Sequence, residues 1–397
     1  MTALADPITI GAARRWTMLG ASTLAQAAAA IMMHGAAYLI PTLHQEGLSL
    51  AEAGLIAAAP TVGVMLTLVG WGWFTDHRGE RMVLLTGLAG TALVGLIAAL
   101  TSGLVLLGVL LLFGGATAAS TNAASGRVVV GWFPPQRRGL AMGIRQMAQP
   151  AGVGIAAVTV SVVAARHGVH AAMWVSTIAC ALAAVVVAVV VIDPPRPDRK
   201  SVVSPNPYRA DRYLARIHGV SVLLVVPQFV VWTFALVWLM QDRGWSAGAA
   251  GVLVLVAQIM GALGRIAAGQ LSDLMHSRLR PLRLVAWSAA GTMLLLGLTA
   301  GAGWFVAVPL VVIATVLTVA DNGLAFTAVA ERAGPFWSGR ALGLQNTAQF
   351  LASSLVPPIG GLLVGQIGYS WAFALAALFP LAAVGMIPVG DEHPLGE

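Results

Sequence analysis

The chain has 397 residues, of which 58% are hydrophobic and only 9% are charged. Soluble domains carry about 25% charged residues, so this composition excludes a soluble globular protein and predicts a polytopic membrane protein. The formal net charge of +7 does not indicate a nucleic-acid partner, because the basic residues lie in short loops between apolar runs, where they set membrane orientation.

Twelve apolar runs are each long enough to cross a bilayer, which takes roughly 20 residues in a helix. Helices are expected throughout, because backbone groups in lipid must be hydrogen-bonded within the spanning segment. The first run is too long for a signal-peptide core, so we expect it to be retained. We number the runs as spans 1 to 12; they cover residues 16–41, 53–75, 82–100, 103–128, 139–165, 170–192, 216–240, 247–271, 282–300, 303–329, 339–365 and 370–389.

The basic residues predict which ends of the spans face the cytoplasm. If the loop between spans 2 and 3 is cytoplasmic, the loops and chain ends on that side hold seventeen of the 22 lysines and arginines. The opposite loops hold only Arg166 and Arg243. Loops rich in arginine stay on the cytoplasmic side of a membrane, so both termini are predicted to be cytoplasmic, with the chain in the plasma membrane.

One stretch interrupts the apolar pattern. Residues 193–215 are rich in proline and in charged side chains, a composition typical of a solvated, extended connector. We therefore predict two six-helix bundles, residues 1–192 and residues 216–397, joined by a cytoplasmic linker.

The two bundles repeat sequence at an offset of about 200 residues. GWGWFTDHRGERMVLL in the first bundle corresponds to AGQLSDLMHSRLRPLRLV in the second, which aligns Asp76 with Asp273. LSLAEAG corresponds to WSAGAAG, and GIRQMAQ corresponds to GLQNTAQ, in the same order along the chain. Duplicated bundles of this kind place the substrate site near the bilayer midplane, where the repeats meet.

These features resemble the major facilitator superfamily of secondary transporters over essentially the whole chain. The family loop between spans 2 and 3 runs roughly G-x-x-x-D-R-x-G-R-R. His77 and Glu80 replace two positions of that loop that are usually basic, and the second copy keeps Gly269 and Asp273. The resemblance implies an all-α fold of two pseudo-symmetric six-helix bundles. The positions of the first copy that match the family loop are Gly72, Asp76, Gly79 and Arg81.

The residues of the 72–81 loop suggest its chemistry. Gly72 allows another helix to approach the end of span 2, and Gly79 can adopt the positive φ of a tight turn. A carboxylate such as Asp76 binds an arginine or a helix N-terminus. The alternative is a surface loop whose charges only fix topology. The resemblance implies instead a cytoplasmic gate that opens during alternating access, with Arg127 as the partner of Asp76, and its predicted residues are Gly72, Asp76, Arg78, Gly79, Arg81, Arg127 and Asp273.

Charged residues inside the membrane are costly, so those in the spans are candidates for function. Arg145 in span 5, Arg265 in span 8 and Asp321 in span 10 are such residues. Two hypotheses stay open for Arg265 and Asp321. They form a structural ion pair, because a paired arginine costs less than an isolated one, or Asp321 takes up a proton during transport while Arg265 binds substrate.

Arg145 has no partner expected within its own bundle. Arg145 and Gln149 share one helical face, and the repeat places Gln345 and Gln349 on a matching face of span 11. An arginine flanked by amides can bind a carboxylate in bidentate fashion; the alternative is that Arg145 extends to the cytoplasmic surface. The sequence around Arg145 also resembles, weakly, span 5 of small-solute and organic-anion porters of the same superfamily.

Spans 1 and 7 supply further candidates for the substrate site, because the resemblance places both spans around the transport cavity. His34 and Tyr38 are four residues apart in span 1 and share a face, as do Gln228 and Trp232 in span 7.

The sequence has no phosphate-binding GxxxxGK[ST] loop, no spaced histidine and cysteine cluster and a single cysteine, Cys180. ATP-driven transport, a metal, a cofactor and an enzymatic domain are therefore not expected.

We predict a monomeric secondary transporter that moves a small organic anion, with protons, by alternating access. One alternative is proton-driven efflux of hydrophobic or cationic compounds, since residues 149–154 partly resemble a motif of drug antiporters. The other is a sensor or scaffold that does not transport.

Overall fold

The computed structural model describes residues 10–195 and 205–392. Part of the predicted linker, residues 196–204, lies outside these ranges. Within them the regular secondary structure is helical. The helices are Ala12–Gly35, Ile40–Gln45, Leu50–Arg78, Glu80–Leu100, Leu104–Ala118, Ser120–Trp132, Pro135–Gln146, Ala148–His167, Val169–Val190, Pro207–Ala210, Tyr213–Gln241, Ala247–Leu274, Leu279–Gly301, Ala307–Ala333, Ser338–Ala376 and Leu378–Met386, with 3-10 turns at Ala36–Leu39 and Val389–Asp391.

The helices confirm the predicted spans. Eleven helical segments of the described chain are long and apolar enough to cross a membrane. The last segment, Ser338–Asp391, contains both span 11 and span 12, because the chain turns at Gly368 with a φ of 82°. Large apolar side chains such as Leu55, Val105 and Phe305 are exposed, as expected where lipid covers the surface. The protein is an all-α polytopic membrane protein with twelve spans.

Span 2 has well-defined ends. At its start the Ser49 hydroxyl accepts a hydrogen bond from the Glu52 N–H at 3.2 Å, and the Glu52 carboxylate accepts one from the Ser49 N–H at 2.9 Å. This capping box satisfies two backbone donors that a helix start leaves unpaired. The span ends at Gly79, whose φ is 97°. The positive φ predicted for Gly79 is thus confirmed, and the turn places Asp76 in the last turn of span 2.

The described chain packs as two compact units, and each unit takes a short segment from the other half of the sequence. The start of span 5 packs in unit 2, and the start of span 11 packs in unit 1. The division into bundles of residues 1–192 and 216–397 stays a prediction. Unit 1 consists of the described parts of Met1–Pro134, Ala148–Pro207 and Ala333–Gly343, and unit 2 of those of Pro135–Met147, Tyr208–Arg332 and Leu344–Glu397.

Close backbone contacts explain why the start of span 11 belongs to unit 1. Gly72 and Gly339 lie so close that a Cβ on either residue would overlap the carbonyl oxygen of the other. One turn further along, a Cβ on Gly343 would lie 2.6 Å from the carbonyl oxygen of Leu68. Small residues four positions apart lie on one helix face and let two helix backbones touch.

The same contacts occur in unit 2. A Cβ on Gly139 or Gly269 would overlap the carbonyl oxygen of the other residue. A Cβ on Gly143, one turn after Gly139, would lie 2.6 Å from the carbonyl oxygen of Arg265. The internal repeat of the sequence is therefore matched by a repeat in the structure, since each unit has the same pair of glycine contacts between two helices.

Gly72→Ala should destabilise unit 1, because the added methyl group overlaps the Gly339 carbonyl oxygen and forces the two helices apart. We expect the free energy of unfolding to fall by about 1–3 kcal/mol, measured as a lower thermal midpoint in detergent. Gly70→Ala in the same helix is the matched control, since nothing lies within 4 Å of a Cβ at Gly70. Equal midpoints for the two variants would contradict the backbone contact.

Candidate functional site

Asp76 lies at the N-terminus of span 11 within unit 1. Its carboxylate accepts hydrogen bonds from the N–H groups of Gly339 at 2.8 Å and Arg340 at 3.1 Å. The first N–H groups of a helix have no partner within the helix, and the helix dipole favours a negative charge beside them. The prediction that Asp76 can bind a helix N-terminus is confirmed.

Two arginines and a second carboxylate complete the Asp76 cluster. Arg127 Nη1 lies 3.0 Å from the Asp76 carboxylate, and Arg340 Nε lies 2.9 Å from it. Arg127 Nε lies 3.0 Å from the carboxylate of Glu80, and Arg127 also donates to the Pro335 carbonyl at 2.5 Å. The predicted contact of Asp76 with Arg127 is confirmed. Glu80 replaces a basic residue of the family loop. Together with Asp76 it gives the cluster two carboxylates for its two arginines, Arg127 and Arg340.

Two predicted gate residues lie in other surroundings. The Arg81 N–H donates to the Asp193 carboxylate at 2.8 Å, and its guanidinium donates to the Ala188 carbonyl at 2.6 Å. Arg81 therefore ties the loop to the end of span 6, and Asp193 is a partner that the sequence pattern did not indicate. Arg78 is exposed. The arginines that contact Asp76 come from spans 4 and 11, and a gate role for Arg78 and Arg81 stays a prediction.

Unit 2 has an equivalent cluster at Asp273. Its carboxylate accepts hydrogen bonds from the N–H groups of Gly139 at 3.0 Å and Leu140 at 2.8 Å, at the start of span 5. Arg278 Nη1 lies 2.6 Å from this carboxylate, and the same guanidinium donates to the Pro135 carbonyl. Both clusters thus join an aspartate, a helix N-terminus, an arginine and a proline carbonyl.

Arg278 is a cluster residue that sequence reasoning missed. The available signal was its spacing, because Arg278 follows its aspartate by five residues, as Arg81 follows Asp76. Glu331 lies 3.3 Å from both Arg278 and Arg138. Burial acts to lower the pKa of Arg278, but the neighbouring carboxylates outweigh burial and raise the pKa, so this guanidinium stays charged.

Arg145, Arg265 and Asp321 all lie in unit 2, and all three are buried, with 3%, 5% and 2% of their surface exposed. Arg145 reaches this unit because the start of span 5 packs there. The like charges of Arg145 and Arg265 repel each other, and the charges of Arg265 and Asp321 attract each other. The charge of Arg265 therefore affects both of the other two residues within the buried interior of unit 2.

Gln146 holds both arginines. Arg265 Nη1 donates to the Gln146 backbone carbonyl at 2.6 Å, and Arg145 Nη1 donates to the Gln146 side-chain oxygen. Arg265 is not in direct ion-pair contact with Asp321, so the ion pair that was one of the two hypotheses is not formed. Neither carboxylate oxygen of Asp321 has a hydrogen-bond partner of normal geometry among the residues that the structure describes.

Amide side chains surround the residue next to Asp321. Asn322 Nδ2 donates to the Gln228 oxygen at 3.1 Å, and Gln349 Nε2 donates to the Asn322 oxygen at 3.0 Å. The structure thus brings together two of the predicted site residues through Asn322, which the sequence pattern did not single out. Trp232 follows Gln228 by one helical turn, and its buried indole N–H has no acceptor within the described residues.

Gln345 lies one turn before Gln349 but has different hydrogen-bond partners. Its amide donates to the Ser221 hydroxyl at 2.5 Å, and its oxygen contacts His218 Nδ1. The His218 ring in turn lies 2.9 Å from the Tyr208 hydroxyl. Gln345 therefore links spans 7 and 11.

Three predicted site residues lie in unit 1. Gln149 Nε2 is 3.1 Å from His34 Nε2, so Gln149 is not packed with Arg145 in unit 2, and the predicted grouping of these two residues is corrected. The reason is that span 5 passes from unit 2 to unit 1 between them. Tyr38 lies in the 3-10 turn Ala36–Leu39, which interrupts the helical face that His34 and Tyr38 were predicted to share.

The described residues contain no group of histidine, cysteine, aspartate and glutamate side chains arranged to hold a metal ion. Unit 2 has an open groove between spans 7, 11 and 12, with Phe234, Leu355 and Phe379 in its wall. This wall is apolar and offers no partner to a charged solute. The buried arginines of unit 2 are therefore the better candidate for binding chemistry.

Comparison with known proteins gives the family. The sequence model described as Major Facilitator Superfamily matches residues 22–357. The chain belongs to the major facilitator superfamily. An uncharacterized MFS-type transporter of Mycobacterium tuberculosis is 46% identical over 388 residues, which cover 97% of this chain and 86% of the relative.

Solved structures of the superfamily have the same fold. The proton:xylose symporter XylE, bound to 6-bromo-6-deoxy-D-glucose, has a TM-score of 0.78 at 14% identity, with 97% of this chain and 98% of that chain covered. The human organic anion transporter MFSD10 has a TM-score of 0.72 at 15% identity, with 94% and 99% covered. At these identities the likeness shows the fold alone.

Arg127→Gln should destabilise unit 1, because it leaves the buried carboxylates of Asp76 and Glu80 with one arginine fewer. Removing one partner of a buried ion pair costs about 3–5 kcal/mol, so we expect a much lower thermal midpoint in detergent. Arg78→Gln is the control, since Arg78 is exposed. A wild-type midpoint for Arg127→Gln would show that the cluster does not stabilise the unit.

Proposed function

We propose that the protein is a secondary transporter for a small organic anion. The observation that supports this most directly is the buried charge of unit 2, where two arginines, Arg145 and Arg265, lie with one carboxylate, Asp321. Two guanidinium groups and one carboxylate leave an excess positive charge in a region of low dielectric. An anion that binds there offsets this excess, whereas a cation adds to it.

The neighbouring side chains suit a solute with a carboxylate-like group. Arginine binds carboxylates through paired donors in a fixed plane, and Gln146 brings Arg145 and Arg265 to one place. The amides around Asn322 and the indole N–H of Trp232 offer hydrogen bonds to the uncharged polar part of a solute. These contacts favour a small polar anion over a large apolar compound.

Proton coupling through Asp321 is the second part of the proposal. An anion bound beside Asp321 adds negative charge near its carboxylate, which favours the protonated form. A proton on Asp321 in turn removes a negative charge that would repel the anion, so the two bind cooperatively by linkage. Cooperative binding predicts symport. The names of XylE and MFSD10 describe proton symport and organic anion transport for those two proteins, and this fold therefore permits both properties.

Orientation and gating complete the proposal. Most basic residues lie in loops on one side of the twelve spans, which favours that side as the cytoplasmic one, with both termini there in the plasma membrane. The Asp76 and Asp273 clusters would then form a cytoplasmic gate, whose ion pairs break when the solute is released inward.

The wild-type protein in proteoliposomes should take up at least one of acetate, succinate and benzoate, and should not transport tetraphenylphosphonium. Arg145→Gln should abolish anion uptake with an unchanged yield of folded protein, because the site loses its excess charge. Arg166→Gln, at an exposed position at the other end of span 5, is the matched control.

Normal anion uptake by Arg145→Gln would reject the site. Transport of tetraphenylphosphonium by the wild type would favour the alternative of cation efflux, and the absence of flux for every solute would favour a sensor.

Asp321→Asn should uncouple anion transport from the proton gradient, because the amide that replaces the carboxylate cannot take up a proton. In the wild type an acidic exterior should drive accumulation of the anion, whereas the variant should only equilibrate or exchange it. Asp391→Asn is the control, since Asp391 is exposed. The measurement is the accumulation ratio with and without the gradient. Accumulation by Asp321→Asn equal to that of the wild type would show that the proton binds elsewhere.

A further inference from the structure

Span 5 is interrupted at the residue that touches both buried arginines. Its first helix ends at Gln146 and its second begins at Ala148. Pro150 has no N–H, so it cannot donate to the carbonyl four residues earlier, which is that of Gln146. This carbonyl is therefore left without its helical partner inside the membrane, where an unsatisfied carbonyl is costly.

Arg265 supplies the missing donor. Its Nη1 lies 2.6 Å from the Gln146 carbonyl oxygen, and the glycine contact of Gly143 with the Arg265 backbone brings the two helices close enough for this bond. The side-chain oxygen of Gln146 accepts from Arg145. One neutral residue thus binds two buried cations, one through its backbone and one through its side chain.

We propose that Gln146 is a positioning residue for the anion site, which holds Arg145 and Arg265 together and keeps Arg265 from pairing with Asp321. This inference rests on the proposed function, because it names the residue that shapes the proposed site. A neutral amide or carbonyl fixes an arginine without cancelling its charge, whereas a carboxylate fixes it and cancels the charge. Gln146 therefore leaves the positive charge available to the solute.

Two substitutions at Gln146 test its two proposed roles separately. One role is to fix the positions of the arginines, and the other is to leave their positive charge uncancelled. Gln146→Met has a similar length but no oxygen for Arg145, so KM for the transported probe (acetate, succinate or benzoate) should rise about tenfold while the maximal rate is kept. Gln146→Glu gives the arginines an internal anion, so the thermal midpoint should rise while saturable uptake is lost. A raised midpoint with wild-type uptake would mean a purely structural role and would overturn the inference.

Pro150→Ala tests the backbone contact. The alanine N–H can bond to the Gln146 carbonyl within the helix and so competes with Arg265 for it. KM should rise as in Gln146→Met, although Gln146 and both arginines are still present. Pro60→Ala is the matched control, because Pro60 also lies inside a spanning helix but in unit 1. A wild-type KM for Pro150→Ala, or an equal rise for Pro60→Ala, would overturn the role of the carbonyl.

Thermal unfolding distinguishes failure of this inference from failure of the proposed function, since it needs no solute. In a cycle of Gln146→Met, Arg145→Gln and the double variant, the contact predicts that the double variant loses less than the sum of the single losses. Additive losses would overturn the inference even in a protein that transports anions. A non-additive cycle in a protein that takes up no probe anion would reject the proposed function while supporting the placement of Arg145 by Gln146.

Discussion

The contact of a buried aspartate with the first N–H groups of another helix is the interaction on which the rest of the structure depends. Asp76 fixes the start of span 11 and Asp273 fixes the start of span 5, each beside glycines that let two backbones touch. From Gly139, span 5 runs six residues, or about 9 Å, to Arg145. The proposed anion-binding arginine is thus placed in unit 2 by the contact of Asp273 with the start of its helix.

Hydropathy is sufficient to predict the twelve spans, because each helix in a membrane is specified by the composition of its own segment. The backbone of Gly79 and the ion pair of Asp76 with Arg127 were also predictable, since a glycine in a tight loop and a carboxylate near an arginine have few alternatives. The exchange of short segments between the two halves was not predictable from the sequence. The glycines that decide it have no side chain, and their spacing is common in membrane helices that pack in quite different ways.

The charges of the candidate site were predictable, but their connections were not. Arg145, Arg265 and Asp321 stand out because they interrupt apolar runs. Arg265, however, binds a backbone carbonyl, a group that every residue has and that no side-chain pattern marks. Pro150 indicates which carbonyl lacks its helical donor, and only the fold shows that Arg265 reaches it. Asn322 and Gln146 were missed for a different reason, since amides in membrane helices often serve simply to join neighbouring helices.

The exchanged segments also constrain how the protein is made. Ala333–Gly343 completes unit 1, yet the ribosome synthesises it only after the first ten spans have been produced. Until then Asp76 has Arg127 but lacks Gly339 and Arg340, its partners in span 11, and Gly72 lacks the backbone of Gly339. Synthesis in order cannot therefore deliver a finished first half before the second begins. A nascent chain halted at the linker would therefore hold an unfinished unit 1, a state that cellular quality control can detect.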